Sequence, residues 1–143
     1  MHFQKPSTLK ASSRLHKIGQ FFLERIPAYR HTPHFEQWLE WADGHGFLLT
    51  VFPDEREETV LAAAIIRPIT VQQLTAKYDS FAFNDKGAVL FLDNCVAPNT
   101  NLKRALLIGA LQRFGPRLAF AYDTHKVGIR VRHFNRVRQA LLK

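Results

Sequence analysis

Apolar residues along this chain recur first at a helical spacing and then at a strand spacing. Over residues 14–25, Leu15, Ile18, Phe21 and Phe22 fall on one face of a helix. Pro27 ends that helix. The loop IPAYRHTPH follows, in which Thr32 is a credible N-cap and Pro33 a credible first helical residue. Phe35, Trp38, Leu39 and Ala42 then keep i, i+3, i+4, i+7 spacing, and Gly44 and Gly46 stop the second helix. Residues 1–12 read as a frayed start, because Pro6, Ser7, Ser12 and Ser13 mark a loop.

From Phe47 the pattern changes. Residues 47–52 (FLLTVF) read as a strand, and PDEREE as a charged hairpin turn. Residues 59–69 (TVLAAAIIRPI) are apolar almost throughout, which predicts a central strand ended by Pro68. Residues 70–77 suit one short helical turn, and residues 84–87 a turn. Residues 88–96 predict a buried strand. Asn99, Thr100 and Asn101 offer caps for a helix over 102–114. That helix is apolar nearly all round, so it should pack on the sheet, and Gly115 and Pro116 close it. Residues 117–122 form a further strand, with a turn at Asp123, Thr124 and His125. Val127, Ile129 and Val131 alternate with Gly128, Arg130 and Arg132, as in a strand with one polar face. Phe134, Val137 and Leu141 suit a terminal helix. The order predicts a single α+β domain over residues 1–143. Helices come first, then a mostly antiparallel mixed sheet crossed by one packed central helix, an order compatible with an N-acetyltransferase-like fold.

Composition narrows the class. With 143 residues and 46% hydrophobic positions, the chain can bury a real core. No run of about 18 apolar residues predicts a membrane span. The first 17 residues lack the apolar core of a signal peptide. The single cysteine, Cys95, gives neither an internal disulfide nor a zinc framework. Together these predict a cytoplasmic protein. The net charge of +8 is lopsided: residues 101–143 hold 10 Lys/Arg against Asp123 alone. An acidic partner follows from that asymmetry, whether nucleic acid, an anionic membrane surface or an acidic protein. No RNP-type motif, zinc finger or helix-turn-helix pattern accompanies the charge, so nucleic acid rests on charge alone.

One carboxylate stands out. Asp93 sits among Val89, Leu90, Phe91, Leu92 and Val96, and an acid placed there needs a partner or a purpose. It either caps the turn or pairs with an arginine, or it belongs to an active site. Strand alternation puts Cys95 on the same face as Asp93, so a nucleophile set is conceivable, although a lone cysteine on an apolar strand is usually a small core residue. His31 and His34, with His45 or Asp43, offer weak metal spacing. The turn of residues 97–101 has no glycine, which argues against free coenzyme A as a donor, though helix N–H groups there can still hold an anion.

Three motifs, in order, resemble the toxin-activating lysine acyltransferases. They are Phe91-Leu92-Asp93-Asn94-Cys95-Val96-Ala97-Pro98; Ala119-Phe120-Ala121-Tyr122-Asp123 followed by Val127-Gly128-Ile129-Arg130-Val131; and Ile26-Pro27-Ala28-Tyr29-Arg30-His31-Thr32-Pro33 upstream. The resemblance spans roughly residues 18–135. It implies transfer of a fatty acyl group from acyl carrier protein to lysine side chains of a protein substrate, with no bound cofactor and acyl-carrier protein as donor. It carries the family's catalytic aspartate onto Asp93. The family's catalytic histidine position holds Tyr29, with His31 two residues on. His31, whose type has a reference pKa of about 6.5, is then the candidate base, with Tyr29 as the positional replacement. Arg130, Arg132, Arg136 and Arg138 are the candidate carrier-protein or anion-binding residues. A homodimer is compatible with the resemblance. The alternative is a catalytically silent member of the same fold, binding nucleic acid or an acidic protein through its basic face.

Overall fold

The computed structural model describes residues 4–56, 59–124, 128–134, 136, 137 and 139, with side chains from Ser13 onward. The elements run α1 (Gln4–Arg25), a 3₁₀ turn (Pro27–His31), α2 (Phe35–Gly44), β1 (Leu48–Val51), β2 (Ala62–Ile69), α3 (Val71–Thr75), β3 (Val89–Val96), α4 (Thr100–Phe114), β4 (Ala119–Thr124) and β5 (Gly128–His133). Phe134, Arg136, Val137 and Gln139 are helical, while Leu141 lies outside the described residues. No helix among the described residues is long and apolar enough to cross a membrane.

The five strands lie in the order β1-β2-β3-β4-β5. Neighbours are antiparallel except β3 and β4, which run parallel. A parallel pair needs a crossover, and α4 supplies it. Helices α1 and α2 cover one face of the sheet, where Ile18, Phe22, Trp38, Leu39 and Phe47 pack with Ala63 and Ile65. Helix α4 covers the other face, where Leu106 and Ala110 meet Ala62, Ala64, Ile66, Leu90 and Phe120. Burial of a large apolar side chain contributes about 1.5–3 kcal/mol. Strand β2 is sandwiched on both faces and all eight of its residues are buried, which explains its unbroken apolar run.

Several expectations change. Helix α1 starts at Gln4, not at Arg14. Pro6 falls in its first turn, where a backbone N–H would have no helical partner anyway. Helix α2 starts at Phe35 after His34, whose backbone is left-handed (φ 61°). Thr32 does not cap it; its hydroxyl donates to the Ala28 carbonyl at 3.1 Å. Pro68 does not end β2 but sits within it opposite Leu90, and its carbonyl accepts the Asn84 N–H at 2.9 Å. Helix α4 packs on the sheet by one side only: Leu106 and Ala110 are buried, while Lys103, Gln112 and Arg113, and also the apolar Ala105 and Ile108, are exposed. Asp123 and Thr124 belong to β4 instead of a turn. Strand β5 is an edge strand with every residue exposed, including Ile129 and Val131, so neither face is core.

The loop between α3 and β3 returns close to the sheet. A Cβ placed on Gly87 would overlap the backbone of Ile69, whereas one on Gly44 would meet nothing within 4 Å. Gly87→Ala should therefore lower unfolding free energy by about 1–3 kcal/mol or more, because backbone cannot yield as a side chain can. Gly44→Ala should leave it unchanged or raise it by up to about 1 kcal/mol. Urea denaturation of the two variants checks this, and equal effects would contradict the close approach.

Candidate functional site

Strand β3 carries one residue too many for its ladder with β2. Ile65 stands opposite Asn94 and Ile66 opposite Leu92, so Asp93 is the extra residue of a β-bulge. The Asn94 side chain fills the irregularity: its Oδ1 accepts the Ile65 N–H at 2.9 Å, and its Nδ2 donates to the Tyr29 hydroxyl oxygen at 2.8 Å. The extra residue also resets the alternation. Leu92 and Cys95 pack with the α4 cluster, whereas Asp93 meets Arg67 and Tyr78. Cys95 and Asp93 are therefore not on the same face, as unbroken alternation would have put them. Burial pushes the Cys95 thiol above its ordinary value, with Lys103 opposing, so it rests as a neutral thiol.

Asp93 has found an arginine. Arg67 Nε donates to Oδ2 at 2.8 Å and Nη2 to Oδ1 at 3.0 Å, a bidentate pair. The two side chains are 3% and 0% exposed. The Tyr78 hydroxyl donates to Oδ1 at 2.7 Å, and Arg67 Nη1 donates to the Ala82 carbonyl. Burial pushes the Asp93 carboxyl upward, while the Arg67 hydrogen bonds and charge, and then Tyr78, pull it down. Burial and the Asp93 charge also push the Tyr78 hydroxyl well above its usual range. The guanidinium lies over Tyr78 and Phe91, at 5.5 and 5.2 Å from their ring centres. Through Tyr78 and Ala82 the pair straps the α3–β3 loop to the sheet. The Trp38 indole adds a strap by donating to the Ser80 carbonyl at 2.9 Å.

Beyond the bulge, β3 and β4 part. Their pairing runs from Val89 opposite Ala119 to Leu92 opposite Tyr122 and stops there. A bulge bends its strand and increases local twist, and this one begins at the next residue. The divergence opens a pocket of about 630 Å³ on the α4 side. Leu92, Ala97, Leu107, Phe120 and Val137 form its apolar wall. Asn94, Cys95, Tyr122 and Asp123 add polar groups, and Lys103 and Arg132 bring positive charge. Its volume lies in the range of small-molecule sites, about 300–1,000 Å³.

The other expected site residues are dispersed. His31 is exposed at the end of the 3₁₀ turn. Among the described residues no hydrogen bond or ion pair joins it to Asp93, whose oxygens are engaged by Arg67 and Tyr78. Tyr29 is half-buried, stacked on Phe35 at 4.8 Å, and its hydroxyl is raised mainly by burial. On β5, Arg130 and Arg132 stand opposite Tyr122 and Phe120 of β4; both arginines are exposed, as is Arg136. Arg138 lies outside the described residues. His45 stacks on Phe47 at 5.3 Å, and no metal-binding group of three His, Cys, Asp or Glu converges among the described residues. Arg67, Tyr78 and Lys103 carry no motif. Arg67 did leave a trace, since an arginine within LAAAIIRPI needs a partner as much as Asp93 does. No family model matches the chain, and no curated protein or solved structure matches it.

Removing one member of a buried ion pair strands the other. Asp93→Asn and Arg67→Met should each lower unfolding free energy by about 3–5 kcal/mol. The double variant Arg67→Met/Asp93→Leu should recover most of that loss, because no charge stays buried. A double-mutant cycle in urea measures the coupling; additive losses would contradict the pairing.

Proposed function

We propose that this chain transfers an acyl group from a carrier-protein thioester to a lysine amine, with the acyl chain in the pocket between β3 and β4. The observation that carries this reading is the parting of two parallel strands beyond Leu92 and Tyr122. Crevices beyond the carboxyl ends of parallel strands are common ligand sites. Here the apolar wall of Leu92, Leu107, Phe120 and Val137 suits an acyl chain, and Lys103 and Arg132 suit the phosphate of a carrier's prosthetic arm. Exposed Arg130 and Arg136 add positive charge toward an acidic carrier surface. The mixed sheet with one parallel pair crossed by α4, and the motifs around Asp93 and Asp123, support the same reading.

In the reaction the base takes one proton from the lysine ammonium, the freed amine nitrogen attacks the thioester carbonyl carbon, the C–S bond breaks, and the sulfur leaves as thiol with the second proton lost by nitrogen. Backbone N–H groups on the side of β3 that β4 has left can donate to the developing oxyanion. Asp93 serves this reaction as a strut: with Arg67 it fixes the bulge and thereby the gap. His31, exposed at the end of the 3₁₀ turn that also carries Tyr29, is the candidate base in this proposal.

A second reading draws on the engagement of Asp93 and the exposure of His31: a silent binding protein that uses the basic face alone. Mass spectrometry of a lysine peptide incubated with acyl-carrier protein separates the two. The transfer reading expects an acyl mass on lysine, and Leu107→Trp should cut transfer of long chains by at least about tenfold while sparing short ones, since it fills the pocket. Binding of carrier with no mass gain at any chain length would favour the silent protein.

A further inference from the structure

Asp123 lies at the junction of two pockets. It follows Tyr122, the last residue of β4 to pair with β3. It lines the α4-side pocket and also a second one, of about 350 Å³, on the opposite face. It is exposed, and among the described residues no hydrogen bond or ion pair engages its side chain. In both respects it is the reverse of Asp93.

The second pocket has a distinct chemistry. Leu74, Phe91 and Ile129 line it with apolar surface, and Tyr78 adds an aromatic face. Lys77 and Asp79 also line it and oppose each other in charge, and Arg67, which lines it too, is taken up by Asp93, so among the described residues Asp123 is the carboxylate on this pocket whose side chain is left without a hydrogen-bond partner, with Lys103 and Arg132 on the other side of the gap. Apolar walls ending at a carboxylate match a side chain with an aliphatic stem and a cationic head. Tyr78 is held in place from below by Asp93, so the buried pair also sets this wall.

We propose that the second pocket receives the acceptor lysine and that Asp123 binds its ammonium group at the gap between β3 and β4. The assignment rests on the donor reading above, since it places the amine across the gap from the acyl chain. Asp123 acts here as an amine-binding, specificity-determining residue.

The test is a titration of isotope-labelled protein, followed by NMR, with Nα-acetyl-lysine methylamide and with the norleucine analogue, its uncharged counterpart. Saturable shifts at Tyr78, Phe91 and Ile129 are expected with the lysine probe. Asp123→Asn should weaken that binding by about two- to fivefold, the scale for losing a solvent-exposed ion pair. Asp123→Glu should retain it, and the norleucine analogue should bind the wild type no better than lysine binds Asp123→Asn. Unchanged affinity in Asp123→Asn, or no saturable shift with the lysine probe, overturns the assignment. In the transfer assay Asp123→Asn should raise KM for the lysine peptide and leave KM for the acyl carrier unchanged. Transfer with an unaltered peptide KM overturns the Asp123 assignment and leaves the donor reading standing. Lysine binding that depends on Asp123, without any acyl transfer, supports the amine slot and removes the donor reading.

Discussion

The buried bond between Arg67 and Asp93 holds the working parts of this fold in place. Neither charge could stay in this sheet alone, because an isolated ion in a low-dielectric interior costs far more than a domain's net stability. Together they satisfy each other bidentately, and Tyr78 and the Ala82 carbonyl take up further hydrogen-bonding capacity. The pair sits on the extra residue of the bulge, and β3 and β4 separate just there. One polar contact thus pins the strand irregularity, straps the α3–β3 loop and fixes one wall of a pocket. Its contribution is to geometry more than to net stability, as is usual for buried ion pairs.

Much of the fold was legible because its elements are locally consistent. The i, i+3, i+4, i+7 spacing of Phe35, Trp38, Leu39 and Ala42 named the four residues of α2 that are buried. The apolar run around Ala62–Ile69 foretold a strand covered on both faces. Thr70 forms a capping box with Gln73, and Asn99 caps α4, as their residue types suggest. Other features depend on contacts distant in sequence. Nothing local shows that Pro68 faces a ladder position which its missing N–H can leave empty, or that β5 remains an uncovered edge.

The site was legible in part. Asp93 declared itself as an acid on an apolar strand, and the arginine partner was one of the two structural roles open to it. The bulge was invisible, because one extra residue in a ladder is a property of two strands and not of either sequence. It separated Cys95 from Asp93, which regular alternation had placed together. It also opened the gap that holds an apolar-walled pocket beside Lys103 and Arg132. The proposed function places its site where two strands stop pairing, with Lys103 and Arg132 on the α4 side of that gap and Lys77 and Asp79 on the other.

The most direct measurement is photo-crosslinking with a fatty acyl group that carries a diazirine near its end, loaded on acyl carrier protein, with peptide mapping of the adducts. An acyl chain held between β3 and β4 predicts adducts within residues 92–97, 103–107 and 120–122. Adducts confined to the groove between α1 and α2, around Leu15, Gly19 and Phe35, would contradict it, as would no adduct above that of the unacylated carrier.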